Sequence, residues 1–317
     1  MRRERGMAVV MALLVVAMAA TAAAVVLWQQ GLWLRQVEAD RSNAQANLVA
    51  DGGIGWAIEV LRYDGETTGT DTLAELWAQP LPRTDAQGVA VSGQLADAQG
   101  RFNLNNLVQN GQGVPAQLSL YRRLLTELQL PVSLADALAD YLDADDEARA
   151  GSAESAWYLT QPRPYQSANA PLVRLGQLAW VKGYTPGVIA TLAPHVSVLP
   201  GSEPVAVNVN TATEPLLRAL IEGARGGALQ GLISQRVDNP FADVADFKAR
   251  LPADARVADG VPIGVASKYF LLASRVERAP INRAVSALIV RDSRDTRLMW
   301  RSDGELAPPP PADGEKE

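Results

Sequence analysis

The residues best equipped for chemistry lie within twelve positions of one another. The run Asp143-Ala144-Asp145-Asp146-Glu147 carries four carboxylates, and Glu154 follows seven residues later. The preceding Leu134, Leu138, Tyr141 and Leu142 fall on one face of a predicted helix. The acids therefore collect at its C-terminal end. Anions there oppose the helix dipole, typically by about 0.3–1 kcal/mol each. A bound cation resolves that conflict, and an all-oxygen donor set suits Ca²⁺. The expected ligands are Asp143, Asp145, Asp146 and Glu154. A solvated acidic turn is the plain alternative.

Placed on the twelve-residue EF-hand register, Asp143, Asp145 and Glu147 take positions 1, 3 and 5, and Glu154 takes position 12. The glycine required at position 6 is replaced by Ala148, so an EF-hand is not expected. Catalysis has little to draw on. The chain has no cysteine and a single histidine, His195, so a Cys-His dyad is impossible and a Ser-His-Asp set would rest on one residue. No glycine-rich phosphate loop is present. An enzyme is not expected.

The elements that position the acids are read from periodicity and punctuation. Pro115 opens a helix carrying Leu118, Tyr121, Leu124, Leu125 and Leu128, and Pro131 ends it. Ser133, with Asp136 three residues on, starts the helix that leads into the acidic run. Helical pieces are also expected over 171–182, 186–193, 213–222 and 228–237, giving an all-α block from 112 to 255. On either side the pattern is strand-like: 89–108 before it, then 269–273, 284–291 and 297–301 after it. One sheet is therefore expected to be split across the sequence. Residues 302–317, with Pro308 to Pro311 and five acids, are expected to be a disordered tail.

The N-terminus sets the compartment. Arg2, Arg3 and Arg5 precede Gly6, and Met7 to Trp28 carries no charge. These 22 residues span roughly 33 Å as a helix, about one bilayer core. The basic end is expected on the cytoplasmic side, with Trp28 and Trp33 near the opposite interface. A cleavable secretory signal ending near Ala20, Ala22 and Ala24 is one alternative, although the apolar run continues through Val25, Val26 and Leu27. An unprocessed anchor is another. Beyond the membrane, Val37, Ala44, Leu48, Gly52 and Trp56 recur at helical steps. They predict that the helix continues to about Arg62 with that face buried, bent at Gly52, Gly53 and Gly55, before a loop from Tyr63 to Asp71. The formal net charge of −6 disfavours nucleic acid as a default partner.

The order basic leader, Gly6, apolar helix resembles the leader of type IV pilins and type II secretion pseudopilins. The resemblance implies prepilin peptidase cleavage between Gly6 and Met7, methylation of the new N-terminus, and retention of the helix as the packing spine of a filament. The family usually places glutamate at the fifth mature position, where this chain has Met11. Among pseudopilins that absence marks the minor pseudopilin K family, whose subunit has no neighbour above it.

Further stretches are similar to that family: Gly100-Arg101-Phe102-Asn103-Leu104-Asn105, the acidic run with Gly151 to Glu154 and Trp157-Tyr158, and Val207-Asn208-Val209-Asn210-Thr211-Ala212. Ser155 and Ala156 stand where the family often has further acids, so the resemblance implies one calcium site and leaves a second in doubt. It implies an α+β chain with a type IV pilin-like fold, a long N-terminal helix plus antiparallel sheet, and a large all-α insertion. The expected organisation is a leader at 1–6, a membrane and filament-packing helix at 7–34, a first pilin part at 35–111, the insertion at 112–255, C-terminal pilin strands at 256–301 and the tail at 302–317. The implied partners are minor pseudopilins I and J, other pseudopilins, prepilin peptidase and inner-membrane lipid. The bulk of the chain is expected in the periplasm, at the tip of a pseudopilus whose assembly it helps to start.

A competence-type, membrane-anchored helix-hairpin-helix DNA-binding protein is the alternative. It shares the Asn-x-Asn-Thr-Ala start, Leu229, Ile233 and Arg236 on a later helix, and Pro240-Phe241. Between Gly201 and Val257 six Lys/Arg face seven Asp/Glu, and the hairpin Gly223 to Gly227 lacks the compact Gly-x-Gly. Duplex binding needs several phosphate-neutralising cations, so no nucleic-acid partner is expected. Asn208 and Asn210 are read as helix-capping residues.

Overall fold

The computed structural model describes residues 2–304 except 87, 202, 224–226, 279–280 and 293–294; the side chains of 2–6, 86, 228 and 281 also lie outside the description. The hairpin at 223–227 and the tail at 302–317 therefore fall largely outside the described residues.

Helix α1 runs from Arg2 to Thr67, 66 residues or roughly 100 Å. From Met7 to Leu34 its side chains are exposed all round. It is the one helix among the described residues long and apolar enough to cross a membrane. Its second half is amphipathic, but not on the stripe expected from the sequence. Ala46, Ala50, Ile54, Ala57 and Leu61 are buried, whereas Val37, Ala44, Leu48, Gly52 and Trp56 are exposed. Three of the five buried residues are alanines, whose small side chains let a helix lie close to a sheet, while Leu48 and Trp56 stay outside. The helix also passes through Gly52, Gly53 and Gly55 and overruns the expected end at Arg62 by five residues. Arg62 bridges Glu59 and Glu66 on its last turns.

The sheet that receives α1 has five antiparallel strands in sequential order: β1 (Leu81–Ala86), β2 (Val89–Asp97), β3 (Tyr269–Arg278), β4 (Ile281–Arg291) and β5 (Thr296–Asp303). β2 and β3 are neighbours, with Phe270 opposite Asp97 and Val276 opposite Val91, although some 170 residues separate them in sequence. The sheet is thus split by an insertion, as expected. β1 had no signal in the sequence because Pro82, Arg83, Thr84 and Asp85 show no apolar alternation. β5 extends to Asp303, so the expected tail begins later than Ser302. Val89, Leu95, Phe270, Leu272, Val276, Val285, Ala287 and Ile289 pack with Trp77 against the buried stripe of α1. Trp77 meets Phe270 edge-on with ring centroids 5.2 Å apart.

The insertion has its own, larger core. It is built on α2 (Pro115–Glu127), α3 (Ser133–Leu142), α4 (Ser155–Tyr158), α5 (Pro186–Leu192), α6 (Glu214–Leu220), α7 (Gly227–Gln235) and α8 (Val244–Ala249). The segment expected as a helix near 171–182 forms only a 3₁₀ stretch, Leu175–Trp180. The block is not purely helical. Phe102–Asn103 pairs in parallel with Val196–Ser197, Val207–Asn208 with Ile263–Gly264, and Ile221–Glu222 antiparallel with Arg256–Val257. Phe102 to Leu107 therefore belongs to the block, where a continuation of the sheet was expected.

Two asparagine groups fasten the block, one within it and one to the end of β2. Asn103 Oδ1 accepts from Leu199 N at 2.9 Å, Asn105 accepts from Leu172 N and donates to Leu199 O, and Asn106 pairs with Val205 N and O. Each amide ties down a loop that has no ladder of its own. Asn208 donates to Asp97 Oδ2, Ser267 Oγ and Asp71 O, and Asn210 pairs with Phe241 N and O. These are long-range ties rather than the helix caps expected from the sequence. Gly100 is required at this junction: a Cβ there would lie 2.6 Å from Thr211 O.

Candidate metal centre

Three carboxylates converge at the end of α3. Asp140 lies on its last turns, Asp143 is the residue that ends it, and Glu154 immediately precedes α4. One oxygen from each lies within 4.8 Å of the others, and all three residues are buried. Of the four ligands expected from the sequence, the structure thus groups Asp143 and Glu154. Asp145 and Asp146 are exposed and stand outside the group, because α3 stops at Leu142 and the chain turns outward after Asp143. Asp145 Oδ1 instead accepts from Glu147 N at 2.9 Å, a local turn contact. Asp140 was missed. Its only sequence signal is its position one helical turn before Asp143, on the buried side of α3.

The loop between the acids is pinned at several points. Ala144 N donates to Gly111 O, and Asn169 N donates to Tyr141 O. Lys182 Nζ donates to Gly151 O and Ser152 O and sits 5.1 Å from the Trp157 ring. Tyr158 is buried among Tyr141, Trp157 and Tyr165, with ring centroids 5.0–5.5 Å away.

Arg149 is the one basic side chain against the three acids among the described residues. Its Nη1 contacts Asp140 and lies 2.8 Å from Asp143 Oδ2, and its backbone N donates to Asp140 Oδ2. Two oxygens are left over: Asp143 Oδ1 and Glu154 Oε1 are buried with no hydrogen-bond partner. Burial, then the neighbouring Asp140 and Asp143 charges, push the Glu154 carboxyl up to about 7; only Ser167 Oγ, at 3.3 Å, opposes the shift. Burial also raises Asp143 in spite of Arg149. One guanidinium against three carboxylates leaves an excess negative charge in a dry site, which is costly without a counter-ion. The donor set and the unpartnered oxygens fit a hard divalent cation.

The remaining expected residues do not gather into a second site of this kind. Asp64, Asp71 and Glu75 approach one another, but Arg291 already bridges Asp64 at 2.7 Å and Asp71 at 2.5 Å. His195 stands alone, its pKa lowered by burial and by Arg101. Arg236, the arginine of the DNA-binding alternative, is buried and donates to Val209 O, so it does not face a backbone phosphate. Gly6 and Met7 lie on α1.

Comparison with known proteins follows the same division. Two family models, both described as "Type II secretion system (T2SS), protein K", match residues 100–201 and 207–266, the insertion that carries the acidic site. A type II secretion system protein K of Pseudomonas aeruginosa is 32% identical over 99% of this chain and 97% of its own length. That of Pectobacterium carotovorum is 28% identical over 86% of this chain and 88% of its own. The structure of the GspK-GspI-GspJ complex from the type 2 secretion system of enterotoxigenic Escherichia coli contains a chain that superposes with a TM-score of 0.76. It is 25% identical, and the match covers 85% of this chain and 99% of that one. Family models over half the chain, and a relative matched over nearly its whole length, show that this protein belongs to the type II secretion system protein K family.

Proposed function

We propose that this minor pseudopilin caps the tip of a type II secretion pseudopilus, anchored by α1 in the inner membrane with its folded part in the periplasm. The observation that carries this reading is the exposure of α1. Met7 to Leu34 is uncovered all round, and Leu48 (71% exposed) and Trp56 (45%) remain uncovered where the helix lies on the sheet. Large apolar surfaces of this size mark membrane or protein contacts. Cleavage between Gly6 and Met7 would leave the helix from Met7 onward in the mature chain, available to pack beside other pseudopilin helices. Met11, uncharged, offers no carboxylate to a subunit above it. The helical block stands beyond the sheet, where its bulk opposes stacking of a further subunit.

Minor pseudopilins I and J are the partners this reading requires, in keeping with the complex in which the structural relative was determined. The role is structural: starting the pseudopilus and so supporting export across the outer membrane. Asp140, Asp143 and Glu154 would hold one Ca²⁺, which would supply the positive charge the three acids lack and stiffen the block. The experiment is co-purification of the full-length chain with I and J from detergent. A stable ternary complex is expected; a chain that elutes alone while I and J pair with each other would overturn the tip assignment.

A further inference from the structure

A cavity of about 550 Å³ opens where the end of β2 meets the helical block. Arg101, at 4% exposure, lines it. Its Nη2 is buried with no hydrogen-bond partner, and among the described residues Arg101 takes part in no ion pair. The nearest buried acid, Asp97, is fully engaged elsewhere: Gln99 N, Asn208, Ser267 and Thr211 all donate to it. Two further polar atoms of the cavity wall, His195 Nδ1 and Thr213 Oγ1, are also buried without partners. Trp77, Leu95 and Pro215 supply apolar wall. The acids at the rim do not answer Arg101. Glu214 pairs with Arg218 at 2.8 Å, and Glu127 lies on the exposed side.

Asp97 also lines the cavity and its charge favours the Arg101 guanidinium, but among the described residues no carboxylate is hydrogen-bonded to it. A buried guanidinium without a bonded partner is costly, and replacing buried charges by apolar side chains is often neutral or stabilising. Its presence beside two unpartnered polar atoms, in a cavity of ligand size, has the form of a binding site: mostly apolar walls with a few convergent polar groups. Arginine is suited to this task because its planar fork matches a carboxylate with two parallel hydrogen bonds. We propose that this cavity binds a small organic carboxylate, its head on Arg101 and Thr213 and its apolar body against Trp77 and Pro215. Such a ligand would sit at the joint between sheet and block and clamp one to the other.

The probes are 3-phenylpropionate, a carboxylate with an apolar body, and inorganic phosphate, an oxyanion without one. Each is titrated calorimetrically into the full-length chain in detergent, in wild type, Arg101→Met and Arg101→Lys. Saturable one-to-one binding of 3-phenylpropionate to the wild type is expected, weakened at least tenfold in Arg101→Met and by less in Arg101→Lys. Arg101→Met without ligand is expected to melt no lower than wild type. Three results would overturn the proposal: no saturable 3-phenylpropionate binding to wild type, equal binding in all three proteins, or phosphate binding while 3-phenylpropionate stays silent. Arg101→Lys, which retains the charge, keeps the comparison decisive should Arg101→Met fail to fold.

Discussion

At the residue scale, the amides of the two asparagine stretches do more than their neighbours. Asn208 supplies one of four donors to buried Asp97, whose carboxyl burial already pushes up. Asn208→Ala would remove four side-chain hydrogen bonds, three donated and one accepted from Asn210 N, and strip that carboxylate of a donor. Leaving buried polar groups unsatisfied costs about 1–3 kcal/mol each, so a loss of about 3 kcal/mol is expected in urea unfolding of the full-length chain. Asn105→Ala, in a half-buried position tying Leu172 and Leu199, should cost about half as much. Equal, small losses at both positions would show that the loops hold without these ties.

The acidic group divides its candidates as sharply. Asp140, Asp143 and Glu154 converge, while Asp145 and Asp146 stay in solvent. Calcium at about 100 Kd should stabilise the wild type by about 2.7 kcal/mol relative to chelator. Asp140→Asn should abolish that gain and Asp145→Asn should keep it, as read by melting with calcium and with EDTA. A calcium effect lost in Asp145→Asn and kept in Asp140→Asn would restore the set of ligands expected from the sequence.

What was legible at this scale was charge, not direction. Four acids at a helix end announce a cation, but which of them turn inward depends on where α3 stops. Asp143, which ends the helix, is still buried, whereas Asp145 two residues on is exposed. Asp140 was hidden because an acid one turn inside an apolar helix reads as an ordinary solvated position. Arg101 was legible only as part of a strand motif. Its isolation requires knowing that Asp97 is already saturated by partners 111 to 170 residues away.

At the scale of elements, periodicity located α2, α3, α5, α6, α7 and the late strands, since each carries its own apolar repeat, but not the short α4 and α8. It failed for α1 beyond the membrane. Counting large apolar residues selected Val37, Leu48 and Trp56, yet the buried stripe consists mainly of alanines. Close helix–sheet approach selects small side chains, so the larger stripe is the one left exposed. The far end of α1 is fixed by Arg291 on β4, which reaches Asp64 and Asp71, donates to Ser267 O, and stacks its guanidinium 4.7 Å from the Phe270 ring centroid. Arg291→Met would leave two carboxylates without their cation. Breaking a buried pair from one side costs about 3–5 kcal/mol, and a loss of about 3 kcal/mol with fraying of α1 after Leu61 is expected by hydrogen exchange. An unchanged exchange pattern would mean that packing alone ends the helix.

At the scale of the whole molecule, the proposed role would divide the parts: α1 for membrane and neighbours, the sheet as a seat for α1, the block as a cap. The five-stranded order could not be read from the sequence, because β1 lacks alternation and β2 meets β3 only across the insertion. The split itself was readable, since strand-like patterning stops before the helical block and resumes after it.

The account depends on α1 remaining part of the mature protein, and the intact mass of the chain purified from its membrane tests this directly. A polypeptide that starts at Met7, heavier than the unmodified chain from that residue by one CH₂ (a methyl in place of a hydrogen), is the expected result. A polypeptide that starts near Ala24 would contradict it, because the spine that seats this subunit among its neighbours would then have been discarded.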